Sequence, residues 1–352
     1  MTHTYSPSTA AASSAAVHQI AAAVRRRVLE HTLNHNGGYL SQACSSAEIL
    51  ATLYLRVMRL GASTAPLIPR RFAGVPAATN PGAFTGAEYN GPKAPDLDRF
   101  IFSPVHYALV LYSLLIELGR LGPNALDEFN QDGSTVELIG AEHSPGHEVT
   151  AGSLAQALSQ AAGIALARRL RGDTGRVWVF MSDGEFQEGQ TWEAFAALAH
   201  HRLGNLGVYI DANAQQCDGP MTSVMTIEPL ADKLRAFGAE VHEVDGHDPD
   251  ALAAPALNPP NPPFSKGGFS SPFSKGGKGD LSTEGFSTPP FEKGGQGGIC
   301  DRPLVVIART DPCRGIEQLR DRAPKLHYVR FKNGLEFETY QALLATLNAE
   351  AN

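Results

Sequence analysis

The sequence predicts an α/β fold built on a mainly parallel sheet with helices on both faces. Residues 176–181 (RVWVFM) and 206–210 (LGVYI) are short, β-rich and, past Arg176, apolar, which is the pattern of strands covered on both sides. Between them, residues 191–203 carry Trp192, Phe195, Ala196, Leu198, Ala199 and Leu203 at helical spacing. The unit is therefore strand, helix, strand, and a connection of that kind joins parallel neighbours. A further apolar run at 303–308, preceded by a helix opening near Pro249, continues the alternation towards the C-terminus.

The two polar turns of this unit both follow carboxyl ends of strands, and open α/β sheets bind their ligands at that edge. The first turn reads Ser182-Asp183-Gly184-Glu185 and the second Ala212-Asn213-Ala214-Gln215. Asp183 offers a hard carboxylate oxygen, Asn213 an amide oxygen, and the chain after Asn213 can turn a backbone carbonyl inward. Magnesium takes about six oxygens at roughly 2.0–2.1 Å and commonly draws several of them from phosphates and water. Gly184 allows the backbone close to an anion, and neighbouring N–H groups can donate to phosphate. An Asp-Gly pair is equally what a helix-capping turn needs, so only the pairing of the two turns points to a magnesium diphosphate.

The segment 182–219 resembles the thiamine diphosphate motif of transketolases, a Gly-Asp-Gly turn followed one helix and one strand later by an Asn-containing turn. Other segments resemble the same family in the same order. Asn34-His35-Asn36-Gly37-Gly38 is similar to its first histidine-glycine loop and precedes a helix over 45–60. Residues 98–106 (DRFIFSPVH) resemble the arm that carries a second histidine. Residues 146–154 (GHEVTAGSL) resemble the loop that touches the thiamine ring and enter a small-residue helix over 155–170, and 236–248 resemble the strand and turn after the cofactor motif. The resemblance covers most of 17–255 and 301–348.

That resemblance implies a thiamine-diphosphate-binding fold and a transferase that moves a two-carbon ketol unit from a ketose phosphate to an aldose phosphate. It implies that Asp183, Asn213 and the carbonyl of Gln215 hold Mg²⁺. Gly184, the amide of Glu185 and His106 would cradle the diphosphate, while Gly152, Ser153 and Leu154 would border the thiamine. His35, His106 and His143 are the implied catalytic histidines, an imidazole being suited to proton movement near neutrality. His327 stands at roughly the spacing of the family's last active-site histidine, and Glu188 resembles a glutamate at the subunit interface. Only the diphosphate-binding half of a transketolase is represented. The expected partner is therefore a separate pyrimidine-binding (C-terminal) transketolase subunit, supplying the glutamate that protonates the cofactor ring, in a heterotetramer acting on sugar phosphates. Three positions depart from the family: Ser182 replaces the first glycine of the motif, Pro104-Val105 precede the second histidine, and Ala155-Gln156-Ala157 replace Gly-Gln-Gly. A catalytically silent binding subunit, or the α-subunit of another thiamine enzyme such as a 2-oxoacid dehydrogenase, remains open.

Composition fits a cytoplasmic enzyme. With 43% hydrophobic residues over 352 positions the chain has ample material for a core, and a net charge of −7 without a basic stripe excludes a nucleic-acid surface. Arg25-Arg26-Arg27 is read as a solvated helix face. Cys44, Cys217, Cys300 and Cys313 lack metal-ligand spacing and are expected as free thiols. Residues 1–16 read as a flexible lead-in, not a signal peptide, and no apolar run reaches membrane-spanning length. The domain is expected over 17–257 and 300–352. Between them, 258–299 repeats Pro-Phe-Ser-Lys-Gly-Gly (263–268, 272–277, with Pro-Phe-Glu-Lys-Gly-Gly at 290–295), a composition that cannot bury enough apolar area to offset chain entropy.

Overall fold

A five-stranded, all-parallel sheet forms the centre of the computed structural model, which describes residues 12–75, 77–257 and 301–350. In chain order the elements are α1 (Ser14–His35), α2 (Leu40–Thr52), β1 (Arg99–Phe102), α3 (Ala108–Glu117), α4 (Gln156–Arg171), β2 (Val177–Ser182), α5 (Gly189–His200) and β3 (Leu206–Ala212). A short hairpin of β4 (Gln215–Gln216) and β5 (Gly219–Pro220) follows, then α6 (Met221–Val224), α7 (Leu230–Ala236), β6 (Glu240–Asp245), α8 (Pro249–Leu257), β7 (Leu304–Arg309) and α9 (Gly334–Glu350). The order across the sheet is β1-β2-β3-β7-β6.

Side-chain alternation divides the core in two. Phe100, Phe102, Trp178, Phe180, Tyr209, Val306 and Ala308 face a cluster with α1, α2, α3 and α8. Ile101, Val177, Val179, Met181, Val208, Ile210, Val305 and Ile307 face α4, α5 and α7 on the other side. This is the predicted architecture, and the predicted βαβ unit is β2-α5-β3. Its helix runs from Gly189 to His200, a little earlier than the apolar spacing suggested, because Leu203 packs from the turn that follows. Every residue of α2 is buried, so it forms a central helix; a π-helical turn, Leu53–Val57, extends it into the stretch expected as one helix over 45–60.

The register sets what meets at the carboxyl edge. Ser182 pairs with Asp211, Ala212 with Arg309, and Phe102 with Phe180. The chain therefore leaves β2, β3 and β7 at nearly one level and β1 two residues earlier, bringing Asp183, Asn213 and Thr310 to one edge with Ser103 beside it.

Two expectations change. Arg25 is not on a solvated face: it is buried, donates to the Cys44 carbonyl at 3.0 Å, and ion-pairs with the buried Glu48, while Arg27 pairs with Glu117 at 2.6 Å. Helical spacing places Arg25 one turn from Ala21 and from Leu29, both buried, so its stem lies on the core-facing side of α1 beside Val24 and Val28. Burial alone would raise the Glu48 carboxyl, but hydrogen bonds from His247 and Arg25 hold it down at about 2. Helix α1 begins at Ser14, capped by the Ser13 hydroxyl, inside the stretch expected to be flexible. Residues 1–11, the repeat-bearing stretch 258–299 and Cys300 lie outside the described residues; Cys44, Cys217 and Cys313 are free thiols.

Candidate functional site

Asp183 is 2% exposed, directly after β2. One oxygen accepts the Ala214 N–H at 2.7 Å, while the other is buried and has no donor. Burial, and then the nearby Asp211 carboxylate, push its pKa well above the usual carboxylate range. A buried acceptor with nothing donating to it, beside a second carboxylate, is the arrangement a cation relieves. Across the edge, Asn213 accepts the Gln215 N–H on Oδ1 at 2.9 Å, and the Gln215 side-chain oxygen is likewise buried without a donor. Among the described residues no three His, Cys, Asp or Glu gather into a metal cage. An ion held by one carboxylate, amide and carbonyl oxygens and phosphate needs none.

The flanking loops are tied by Glu185. Its fully buried carboxylate accepts from the Ser103 hydroxyl, the Ala155 N–H at 3.1 Å, and the Ser182 N–H and hydroxyl at 2.8 and 3.2 Å. One side chain thus joins the exits of β1 and β2 to the start of α4. Ser182 has φ −92° and ψ 156°, ordinary extended backbone, so the missing first glycine is not required for conformation. Ala155 is different: at φ 68° it occupies the left-handed region that favours glycine. A Cβ built on Gly184 would meet nothing within 4 Å, so this turn faces open space. Gly152, Ser153 and Leu154 are exposed, leaving the loop before α4 uncovered.

A wall of rings stands beside the Asn213 turn. The Tyr107 hydroxyl accepts from the Asn213 amide at 3.0 Å, and its ring lies 4.8 Å from His106. The His106 ring lies 5.0 Å from His327 and 5.6 Å from Tyr39, which also contacts His327 and Tyr328. Gln42 Nε2 lies 3.1 Å from His327 Nδ1. Burial, with His327 nearby, lowers the His106 pKa to about 3, and burial lowers His327 to about 4, so both rings are neutral at pH 7. The first glycine loop holds this wall: Gly38 exchanges both backbone hydrogen bonds with Val329, and a Cβ on Gly37 would collide with the Tyr328 hydroxyl.

The expected site residues divide accordingly. Asp183, Asn213, Gln215 and His106 share the edge, with Gly184 and Glu185 in its first turn and Gly152, Ser153 and Leu154 in the loop leading to α4. His35 ends α1, exposed, stacked 4.1 Å on His31 with Nδ1 2.9 Å from the His31 carbonyl. His143 is buried against Phe72 (4.5 Å) with Nε2 3.1 Å from Glu137. These contacts do not run to the His106 ring wall. Glu188 is exposed at the N-cap of α5. His327, by contrast, does reach the wall. Sequence reasoning passed over Asp211, although a charged residue ending an apolar strand, two before Asn213 and so on the same strand face, was a usable signal. Tyr107, Ser45 and Thr310 gave no comparable signal, because each is brought in from a separate element.

A family model described as "Transketolase, thiamine diphosphate binding domain" matches residues 83–259. An uncharacterised transketolase family protein of Sinorhizobium fredii is 34% identical over 232 residues, covering 64% of this chain and 74% of that protein. A 6-deoxy-6-sulfo-D-fructose transketolase subunit of Clostridium sp. (strain MSTE9) is 31% identical, covering 66% and 74%. Among solved structures, a transketolase from Campylobacter jejuni superposes with a TM-score of 0.63 at 17% identity over 96% of this chain, and the chain spans 47% of that one. The last likeness concerns the fold.

Proposed function

Because this chain belongs to the transketolase family and carries its thiamine diphosphate binding domain, we propose that it is the diphosphate-binding subunit of a two-subunit, Mg²⁺-dependent transketolase acting on sugar phosphates. The observation that carries the reading is Asp183: a carboxylate at the sheet's carboxyl edge, with one oxygen anchored by the Asn213 turn and the other buried without a donor. Asp183, Asn213 and Gln215 supply oxygens for Mg²⁺, and the open turn at Gly184 leaves room for phosphate against its N–H groups. Thiamine diphosphate, when bound, supplies the covalent chemistry of ketol transfer. The protein's own residues bind and orient. Kept neutral by burial, His106 presents one N–H and one lone pair to phosphate or sugar hydroxyls, while His327, whose Nδ1 accepts from the Gln42 amide, presents its Nε2–H. The exposed loop 152–154 and the open edge leave a face for a pyrimidine-binding subunit, and the word "subunit" in the name of the Clostridium relative supports a divided enzyme.

Isothermal titration of the purified chain with thiamine diphosphate in the presence of Mg²⁺ tests this. Saturable binding is expected, lost on removal of Mg²⁺ and lost in Asp183→Ala. Unchanged binding in that variant would overturn the assignment.

A further inference from the structure

Asp211 is the last charged group of β3 and is fully buried. Its carboxylate accepts from four donors carried on four different segments. Oδ2 takes the hydroxyls of Ser45 at 2.6 Å and Tyr107 at 2.8 Å, and the Asn213 Nδ2–H at 3.0 Å. Oδ1 takes the Thr310 hydroxyl at 2.5 Å. Ser45, Tyr107 and Asn213 are buried with it, and Thr310 is half-buried.

The directions of these bonds have a consequence for Asn213. A side-chain amide has two nearly isosteric ends, one donating and one accepting, and only its neighbours decide which end faces which way. The Tyr107 hydroxyl gives its hydrogen to Asp211, so it offers Asn213 only a lone pair, and it accepts Nδ2 at 3.0 Å. Asp211 Oδ2 offers only lone pairs as well. Both inner neighbours therefore demand the NH₂ end, and the amide oxygen is turned to the Gln215 N–H, in the same turn whose Ala214 N–H reaches Asp183. That carbonyl oxygen keeps a second lone pair.

We propose that Asp211 is a positioning residue whose carboxylate, acting directly and through Tyr107, sets the orientation of the Asn213 amide so that its oxygen faces the cation. The inference rests on the Mg²⁺ reading above and deepens it. Without the carboxylate the amide can rotate by half a turn and present N–H groups to the ion, which repels them.

Mg²⁺ affinity measured calorimetrically at saturating thiamine diphosphate, together with the thermal unfolding midpoint of the ligand-free chain, tests the assignment. In Asp211→Asn the Mg²⁺ affinity should fall about 10- to 100-fold, the range expected when a group that orients a ligand is lost. Thr310→Val removes a donor from the far oxygen only and should leave the affinity within about twofold of wild type. The decisive arm is the double variant Asp211→Asn with Asn213→Asp. A carboxylate at 213 has an oxygen at both ends and needs no orienting, so affinity should return to within a few-fold of wild type. A structural role for Asp211 gives no such rescue, because the double variant is no better folded than the single one. Affinity in Asp211→Asn within twofold of wild type, or a loss that the double variant does not recover, would overturn the proposal. Wild-type protein that binds no Mg²⁺ with thiamine diphosphate overturns the functional reading and this inference together, whereas wild-type binding with no effect of Asp211→Asn overturns the inference alone.

Discussion

At the residue scale, backbone and charge state make separate demands at the same edge. Ala155 sits at φ 68° and is fully buried, where an L side chain costs about 1–2 kcal/mol relative to the right-handed region. Glycine would remove that cost while adding roughly 0.4–1 kcal/mol of unfolded-chain entropy. Ala155→Gly should therefore stabilise the chain slightly, by up to about 1 kcal/mol, read as a higher denaturant midpoint with unchanged slope; destabilisation would mean that the Ala155 methyl packs better than its backbone is strained. The histidines give a pH dependence. Unfolded imidazoles protonate near 6.5, whereas the folded rings hold off to about 3 at His106 and about 4 at His327. The unfolded chain binds more protons in that window, so stability should fall as pH drops from 6.5 towards 4. The double variant His106→Gln with His327→Gln should flatten this slope, by at most about 1.4 kcal/mol per pH unit for each ring. Denaturant unfolding across that pH range reads the effect, and equal slopes would refute it.

At the element scale, the site is held by a few ties between loops. Glu185 joins the ends of β1 and β2 to the start of α4 through four accepted hydrogen bonds. Glu185→Ala leaves the Ser103, Ala155 and Ser182 donors unpaired in the interior and should cost about 3 kcal/mol or more, against much less for Glu188→Ala on the exposed start of α5. Parallel thermal melts of the two variants make the comparison. The first glycine loop is a second tie. Its Gly37 lets the Tyr328 hydroxyl close over the backbone, at a distance no Cβ tolerates. Gly37→Ala should displace Tyr328 and, with it, the neighbouring His327, weakening cofactor binding more than it lowers the unfolding midpoint.

At the scale of the whole molecule, the sheet carries its site on an edge that the described residues leave open. The two helical layers cover the faces, while the Gly184 turn and the 152–154 loop remain open. A buried two-layer core of this size needs no partner to fold, but a cofactor lying on an open edge needs something to cover it. The expected outcome is a chain that folds and binds thiamine diphosphate alone, yet transfers ketol units only when mixed with a pyrimidine-binding subunit. Robust transfer by the isolated chain would overturn the divided-enzyme reading. Deletion of 258–299 is expected to leave folding intact, since α8 and β7 on either side are both anchored in the core: Leu252 and Ala253 share one layer with Val306 and Ala308, while Val305 and Ile307 fill the other. Loss of soluble protein would count against it.

The alternating apolar runs determined the sheet, its parallel sense and the βαβ unit, because strand and helix periods are local properties that burial on two faces imposes on the sequence itself. Turns after strand ends must share one edge of a parallel sheet, so the sequence also put Asp183 and Asn213 side by side, and the family resemblance added His106. What the sequence did not determine was company. His327 lies 285 residues from Gln42, and Ser45, Tyr107, Thr310 and Asp211 come from four segments, so their meeting is set by sheet register and by the close approach at Gly37 and Gly38. Arg25 reads as a surface charge until Glu48 and His247 are seen beside it. The burial of a polar group, its partners and its protonation state are sums over neighbours distant in sequence, and only the tertiary structure supplies those neighbours.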